Sequence, residues 1–304
     1  MPNPPESRAA PARSVLAPAR SVPAAVVERL RATRGFVFDL DGTLARGDSL
    51  NRGLKAEPGA VELLQLLTAR GIPWVIFTNG TLRTAADYVP MLRALGFPVE
   101  TSNILTPSVV AARVLVRRGV RRVMAMGIEG VWRPLADVGL DVVLSSTPDP
   151  GPVDAIYVGW YREFGMADIE AALAAIEAGA ALYSASGTPF FTTATGKAPG
   201  TSVVICAALE ALTGRRAEIV GKPSLHALEC ASERLGVPPS GLAIIGDDPR
   251  LEVPMAHLGS ALAIYVDSGV AGAEPFAGVA DDQQPHLFLD GIAQLLPLLA
   301  DRPS

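Results

Sequence analysis

The sequence predicts an α/β fold with a doubly wound, mostly parallel sheet. From Gly35 onward, short apolar segments rich in β-forming residues alternate with segments whose apolar residues recur at helical spacing. This alternation is typical of βαβ units, whose parallel strands are buried on both faces. With 304 residues, the chain is also long enough for two domains.

The predicted elements follow one another along most of the chain. The predicted strands are 36–40, 74–77, 122–126, 141–144, 155–158, 181–183, 217–220, 242–245 and 262–266. The predicted helices are 60–70, 85–95, 166–178, 201–212 and 224–235. Because ligands of such sheets bind outside the carboxyl ends of the strands, the residues that follow each strand are the candidates for function.

The composition of the chain indicates which kinds of binding partner and cellular setting are expected. Hydrophobic residues make up 49% of the chain and the net charge is −5, which excludes a broad basic field and predicts no nucleic-acid partner. No apolar segment approaches the roughly 20 residues that cross a bilayer, so we expect no membrane partner. Cys206 and Cys230 lack CxxC spacing, which argues against disulfides or thiolate zinc and favours a reducing, cytoplasmic setting.

The first 30 residues are rich in Ala, Pro and Arg. Such a composition cannot build a core, so residues 1–30 are predicted to be a disordered tail. An organellar transit peptide has a similar arginine-rich and acid-poor composition and remains an alternative.

Two aspartates follow the first predicted strand. Asp39 and Asp41 are two residues apart, so the period of a strand directs both side chains to the same side. Like-charged carboxylates repel, and such a pair is stable when a cation neutralises it or one member holds a proton. A nucleophile beside a general acid fits this requirement, and a pair of turn-capping acids is the alternative.

Phosphate-binding side chains follow two other strands. Lys222 lies between Gly221 and Pro223, and its ammonium could hold a phosphoryl oxygen and moderate the aspartate pair. Thr78 and Asn79 supply neutral donors, and Gly80 lets the backbone approach a ligand. A solvated lysine and an ordinary helix cap or turn are the alternatives for these residues.

A second acidic pair, Asp247 and Asp248, follows the strand ending at residue 245. Mg²⁺ prefers a few carboxylates completed by water and substrate phosphate, and Asp247 is the expected direct ligand. Glu252 could hold a metal-bound water or the loop backbone, or it could simply be an acid at a helix start.

Taken in order, these segments resemble the four motifs of the haloacid dehalogenase (HAD) superfamily. The matching residues are Asp39-x-Asp41-Gly42-Thr43, Thr78-Asn79, Lys222 and Gly246-Asp247-Asp248. Further stretches are similar to the subclass of nitrophenylphosphatase-like, phosphoglycolate and pyridoxal phosphate phosphatases (class IIA): Arg46-Gly47, Pro58-Gly59-Ala60, the run from Thr78 to Thr84 and Gly221-Lys222-Pro223-Ser224. The resemblance covers about residues 35–270 and implies a Rossmann-like core of residues 31–119 and 197–304 with an α/β cap of residues 120–196.

The resemblance implies a magnesium-dependent phosphatase that hydrolyses a small phosphorylated metabolite. Asp39 would form an aspartyl phosphate, and Asp41 would act as general acid and base. Mg²⁺ would be held by Asp39, the Asp41 carbonyl and Asp247, and Lys222 would bind phosphoryl oxygens together with Thr78 and Asn79. A phosphomutase or phosphotransferase and a non-catalytic regulatory protein are the alternatives, and a homodimer is left open.

The cap departs from the pattern of many relatives. The segment Val158-Gly159-Trp160-Tyr161 lacks an aspartate that relatives carry there, and Ser186-Gly187-Thr188 replaces Asn-Pro-Asp. We hypothesise that Trp160, Tyr161 and Arg162 contact a planar or anionic leaving group. Aromatic packing between cap and core is the alternative.

Overall fold

The computed structural model describes residues 22–48, 52–193, 196–268 and 274–300, with only the backbone for 191–193, 196 and 197. The strands are β1 Gly35–Phe38, β2 Ala45–Arg46, β3 Lys55–Ala56, β4 Trp74–Phe77, β5 Ile104–Leu105, β6 Arg122–Met126, β7 Asp141–Leu144, β8 Ala155–Val158, β9 Ala181–Ser184, β10 Phe190–Thr193, β11 Gly196–Pro199, β12 Glu218–Ile219, β13 Leu242–Gly246, β14 Leu262–Val266 and β15 Leu287–Leu289. The helices are α1 Ala24–Ala32, α2 Ala60–Ala69, α3 Ala85–Arg93, α4 Pro107–Arg117, α5 Glu129–Asp137, α6 Met166–Glu177, α7 Thr201–Thr213, α8 Leu225–Leu235, α9 Glu252–Leu258 and α10 Leu295–Ala300. Within these ranges, no helix combines the length and the hydropathy needed to cross a membrane.

The larger sheet has six parallel strands in the order β15-β14-β13-β1-β4-β5. Strand β1 lies between β4 and β13, so the chain order reverses at β1 and opens a crevice at its carboxyl end. The Asp39 N–H donates to the Ile245 carbonyl at 2.8 Å, which extends the pairing by one residue and anchors the predicted nucleophile beside β13.

Both faces of this sheet are buried, as parallel strands require. Phe36 and Phe38 point into one apolar cluster with residues of α2, α3 and α10, whereas Val37 points into the opposite cluster with residues of α4, α8 and α9. The predicted doubly wound α/β class is therefore confirmed.

The second sheet has five parallel strands in the order β12-β9-β8-β6-β7. Its strands β6 to β9 lie within the predicted cap. Strand β12 also belongs to this sheet, although it lies in the range 197–304 that is predicted to form the core. Glu218 and Ile219 instead pair with Tyr183 and Ser184 and cover an edge of β9 that would otherwise be open.

The prediction of a disordered tail over residues 1–30 is wrong for its last part. Helix α1 begins at Ala24, and Val22, Val26 and the fully buried Leu30 pack against the apolar cluster of the larger sheet. The Arg29 Nη2 atom also donates to the Ser260 carbonyl at 2.7 Å. Residues 1–21 lie outside the described part of the chain.

Candidate active site

The ammonium group of Lys222 lies at the centre of the site. Its Nζ atom donates to Asp39 Oδ1 at 2.6 Å, to Glu252 Oε1 at 2.5 Å and to the Phe77 carbonyl at 2.6 Å. The lysine side chain is 1% exposed, so these contacts lie out of solvent. Three hydrogen bonds satisfy all three protons of the ammonium, and they join β1, β4 and α9 at one point.

Charge holds this cluster together. Burial alone would lower the pKa of Lys222, but the carboxylates of Asp39 and Glu252 raise that pKa above its ordinary value. Burial raises the pKa of Glu252, and the ammonium of Lys222, in direct contact with it, opposes this rise. Lys222 therefore stays protonated beside the predicted nucleophile.

The side-chain amide of Asn79 fixes the lysine loop. Its Oδ1 accepts from the Lys222 N–H at 2.9 Å, and its Nδ2 donates to the Lys222 carbonyl at 2.9 Å. The Lys222–Pro223 peptide bond is cis. Asn79 was predicted only as a phosphate ligand, and no local signal in the sequence points to this second task.

Asp41 lies beside Asp39, the predicted nucleophile, and contacts Thr78. The Thr78 hydroxyl donates to Asp41 Oδ2 at 3.1 Å and accepts from the Gly80 N–H at 3.0 Å. Burial, followed by the charge of Asp39, raises the pKa of Asp41 to about 6. A carboxyl that titrates near neutral pH suits general acid and base catalysis.

Asp247 closes the other side of the site, directly against the loop after β1. A Cβ atom added to Gly42 would lie 2.2 Å from Asp247 Oδ2, and Gly42 has a φ of 93°. Only glycine combines that conformation with so close a contact. The carboxylate of Asp248 instead binds Arg250, with contacts of 3.0 and 2.9 Å to its Nε and Nη2.

Oxygen donors at this edge suit a divalent cation. Burial raises the pKa of Asp247 to about 7, and Asp39 is the strongest charge that adds to the rise, ahead of Asp248 and Asp41. A cation would remove this mutual repulsion. Among the described residues, no three acidic, histidine or cysteine side chains form a metal cluster by themselves. The predicted Mg²⁺ ligands differ from such a cluster, because they are two carboxylates, Asp39 and Asp247, and one backbone carbonyl, that of Asp41.

The smaller sheet reaches the site through the loop that follows Asn79. The Trp160 N–H donates to Thr81 Oγ1 at 2.9 Å, and a Cβ atom on Gly130 would lie 2.5 Å from the Thr81 carbonyl. A Cβ atom on Gly221, next to the lysine, would lie 2.1 Å from the Ala185 carbonyl. The carboxyl ends of both sheets therefore face each other across the loops that carry Asn79 and Lys222.

The three cap residues singled out in the sequence separate in the structure. The Tyr161 hydroxyl donates to Asp168 Oδ1 at 3.2 Å, on the side of α6. Trp160 and Arg162 line a pocket of about 200 Å³, whose other lining residues are Phe164, Ala198, Pro199, Thr201 and Val204. In the segment Ser186-Gly187-Thr188, the Thr188 N–H donates to Ser186 Oγ at 3.1 Å.

Comparisons with known proteins agree with this geometry. The family model described as haloacid dehalogenase-like hydrolase matches residues 36–141, and a HAD-hydrolase-like model matches residues 219–295. Chronophin from Bos taurus is 28% identical over 284 residues, which cover 88% of this chain and 94% of chronophin. Glycerol-3-phosphate phosphatase from Homo sapiens is 27% identical over 299 residues, which cover 87% and 90% of the two chains.

A solved structure shows the same similarity. Glycerol phosphate phosphatase from Mycobacterium tuberculosis, in complex with magnesium, matches with a TM-score of 0.75 and 25% identity. The match covers 89% of this chain and 77% of that one.

A parallel α/β sheet that brings two aspartates, a lysine and a third aspartate to its carboxyl edge defines a HAD hydrolase. The chain belongs to the haloacid dehalogenase superfamily and, within it, to the class IIA phosphatases. It is a phosphoric monoester hydrolase.

Proposed function

We propose that this phosphatase is magnesium-dependent and hydrolyses a small phosphomonoester through an aspartyl phosphate on Asp39. The contact that carries the proposal is the 2.6 Å hydrogen bond between Lys222 Nζ and Asp39 Oδ1. It keeps the Asp39 carboxylate oriented and its charge compensated at the carboxyl edge of β1. Bound Mg²⁺, held by Asp39, the Asp41 carbonyl and Asp247, would neutralise charge on the nucleophile and the phosphate.

In the first step, an oxygen of Asp39 forms a bond to phosphorus while the bond from phosphorus to the leaving oxygen breaks. Asp41 gives its proton to that oxygen, so the product leaves as a neutral alcohol. A pKa of about 6 lets Asp41 both give and take this proton near neutral pH.

In the second step, Asp41 takes a proton from water as the water oxygen attacks phosphorus. The bond from phosphorus to Asp39 breaks, which regenerates the carboxylate and releases inorganic phosphate. Lys222, bound to Asp39 Oδ1, compensates the negative charge of the Asp39 carboxylate before the first step and again as that charge returns in the second step.

Phosphate binding by Lys222, Thr78, Asn79 and Gly80 is part of the proposal. Lys222 would attract the phosphoryl group through its charge, because its three ammonium protons are already donated. An amide nitrogen carries two hydrogens, so Asn79 can hold Lys222 and still donate to a phosphoryl oxygen. The Thr78 hydroxyl has a single hydrogen, which donates to Asp41. Its contact with phosphate would therefore require that hydrogen to turn away from Asp41.

We further propose that Trp160 and Arg162 contact the leaving group, whereas Tyr161 supports the cap. The proposal is supported by the hydrogen bond from the Trp160 N–H to the hydroxyl of Thr81, because it joins one pocket residue to the loop that carries Asn79. An aromatic face and a guanidinium suit a planar or anionic leaving group. Exchanging Trp160 or Arg162 for Ala should change the order of preference among substrates, whereas Tyr161→Phe should affect all substrates equally.

A panel of phosphomonoesters assayed with and without Mg²⁺ tests the function. The wild-type protein should release phosphate from at least one compound only with Mg²⁺, and Asp39→Asn should abolish release. Asp137→Asn, which changes an exposed aspartate on α5, should leave the rate unchanged. Equal, negligible rates for wild type and Asp39→Asn on every compound would contradict the proposal. Transfer of the phosphoryl group to a competing alcohol in preference to water would instead indicate a phosphotransferase.

A further inference from the structure

Tyr265 on β14 is a buried residue that the proposed chemistry does not use. It is 1% exposed, and its ring makes edge contacts with Phe276 and Phe288 at centroid distances of 5.0 and 5.9 Å. In the sheet, Tyr265 lies opposite Gly246, the residue immediately before Asp247. The aromatic contacts therefore fix a tyrosine ring on the strand next to the predicted metal ligand.

The hydroxyl of this tyrosine has no hydrogen-bond partner among the described residues. Burying an unpaired hydroxyl is unfavourable, so a phenylalanine would serve a purely apolar role at this position better. Tyr157 on β8 shows the ordinary arrangement in the same molecule, since its buried hydroxyl pairs with Ser108 Oγ at 3.2 Å.

The charges around the Tyr265 hydroxyl belong to the acidic edge of the larger sheet. Burial, and after it the carboxylates of Asp267, Asp247 and Asp248, raise the pKa of Tyr265 to about 12. The phenol therefore keeps its proton and is available as a donor. Carboxylates that hold a metal are normally oriented by hydrogen bonds from neighbouring groups.

We propose that Tyr265 is a positioning residue for the magnesium site, whose hydroxyl donates through a water molecule to the Asp247 carboxylate. A bridging water is suited to this place, because a water needs at least two polar partners and a buried donor lies beside several acceptors. The hydrogen bond would orient Asp247 toward the cation without contact between Tyr265 and the substrate. This inference rests on the proposed magnesium-dependent function.

Tyr265→Phe tests the proposal, with Tyr157→Phe as a matched control. The readouts are the Mg²⁺ concentration at half-maximal phosphatase rate and the Mg²⁺ concentration at the midpoint of the metal-induced rise in Tm. For Tyr265→Phe we expect both concentrations to rise by about fivefold or more. The Tm of the metal-free variant should be unchanged or raised, because the substitution removes an unpaired buried hydroxyl and keeps the ring.

The control should behave in the opposite way. Tyr157→Phe breaks a formed hydrogen bond with Ser108, so Tm should fall by roughly 2 to 4 °C, while both Mg²⁺ concentrations stay at the wild-type values. If Tyr265→Phe requires the same Mg²⁺ concentrations as the wild-type protein, and the wild-type protein itself responds to Mg²⁺, the role of Tyr265 is overturned while the proposed function stands. A lower Tm for metal-free Tyr265→Phe without a change in Mg²⁺ response would show a merely structural hydroxyl. No response of the wild-type protein to Mg²⁺ in either readout would overturn the proposed function itself.

Discussion

The side-chain amide of Asn79 binds both backbone groups of Lys222, with two hydrogen bonds of 2.9 Å across 143 positions of sequence separation. This pair ties the end of β4 to the lysine loop. Because both bonds go to backbone atoms of Lys222, its side-chain ammonium remains available to bind Asp39.

Asn79→Ala should lower kcat by about tenfold or more, because the loop that aims Lys222 loses both bonds. Steady-state kinetics with a saturating phosphomonoester measures the effect. Asn103→Ala is the matched control, since Asn103 also bridges two backbone groups, with bonds of 2.9 Å to the Glu100 N–H and 3.1 Å to the Trp74 carbonyl. The two variants should lose similar stability, and equal losses of kcat would contradict a specific role for Asn79.

Gly42→Ala should inactivate the enzyme by displacing Asp247. The added Cβ would lie 2.2 Å from Asp247 Oδ2, in a backbone conformation with φ of 93°. Gly139→Ala adds a Cβ in a similar conformation, with φ of 88°, but meets no atom within 4 Å. Both variants should lose about 1 to 2 kcal/mol of unfolding free energy through backbone strain. Only Gly42→Ala should lose activity, and a fully active Gly42→Ala would show that Asp247 is not constrained there.

Glu252→Gln should reduce kcat by about tenfold, because Lys222 loses one of its two charged partners while the shape of the side chain is kept. Kinetics at constant Mg²⁺ measures the change. Glu233→Gln is the control for loss of an acid, because Glu233 pairs with Arg113 and Arg117 at a half-exposed position. That control should keep full activity and cost at most about 1 kcal/mol in stability. Wild-type kcat in Glu252→Gln would mean that Asp39 and the Phe77 carbonyl are enough to hold Lys222 in place.

His286 should make stability depend on pH. Its Nδ1 accepts a hydrogen bond of 3.0 Å from the Ala263 N–H, which requires a neutral ring. Burial, followed by Arg29 and His257, lowers the pKa of His286. A lowered histidine pKa means that the unfolded chain binds more protons, so this stability is present above the ordinary pKa of about 6.5. It is lost as pH falls below that value.

Urea unfolding at pH 7.5 and pH 5.5 measures this dependence. The wild-type free energy of unfolding should decrease over this interval by more than that of His286→Gln, which cannot take up the proton. Equal decreases in the two proteins would contradict the assignment of this pH dependence to His286.

Much of both parallel sheets follows from local sequence. The predicted strands 74–77, 122–126, 141–144, 155–158 and 262–266 coincide with the observed ones, because continuous apolar runs select buried parallel strands. Helix starts were also visible, since the side chains of Thr84 and Ser224 cap α3 and α8. Helices α4 and α5 and the β10–β11 hairpin were not predicted.

Periodicity and motif spacing are local properties of the chain, so they are enough to predict the fold class, the family and the residues that bear the proposed chemistry. The partners of those residues depend on the tertiary structure. The contacts of Lys222 with Asp39 and Glu252, the two bonds from Asn79 and the docking of α1 join residues far apart along the chain. Such contacts depend on how whole elements pack, and no local pattern encodes them. The same holds for β12, whose place in the second sheet was decided by the open edge of β9.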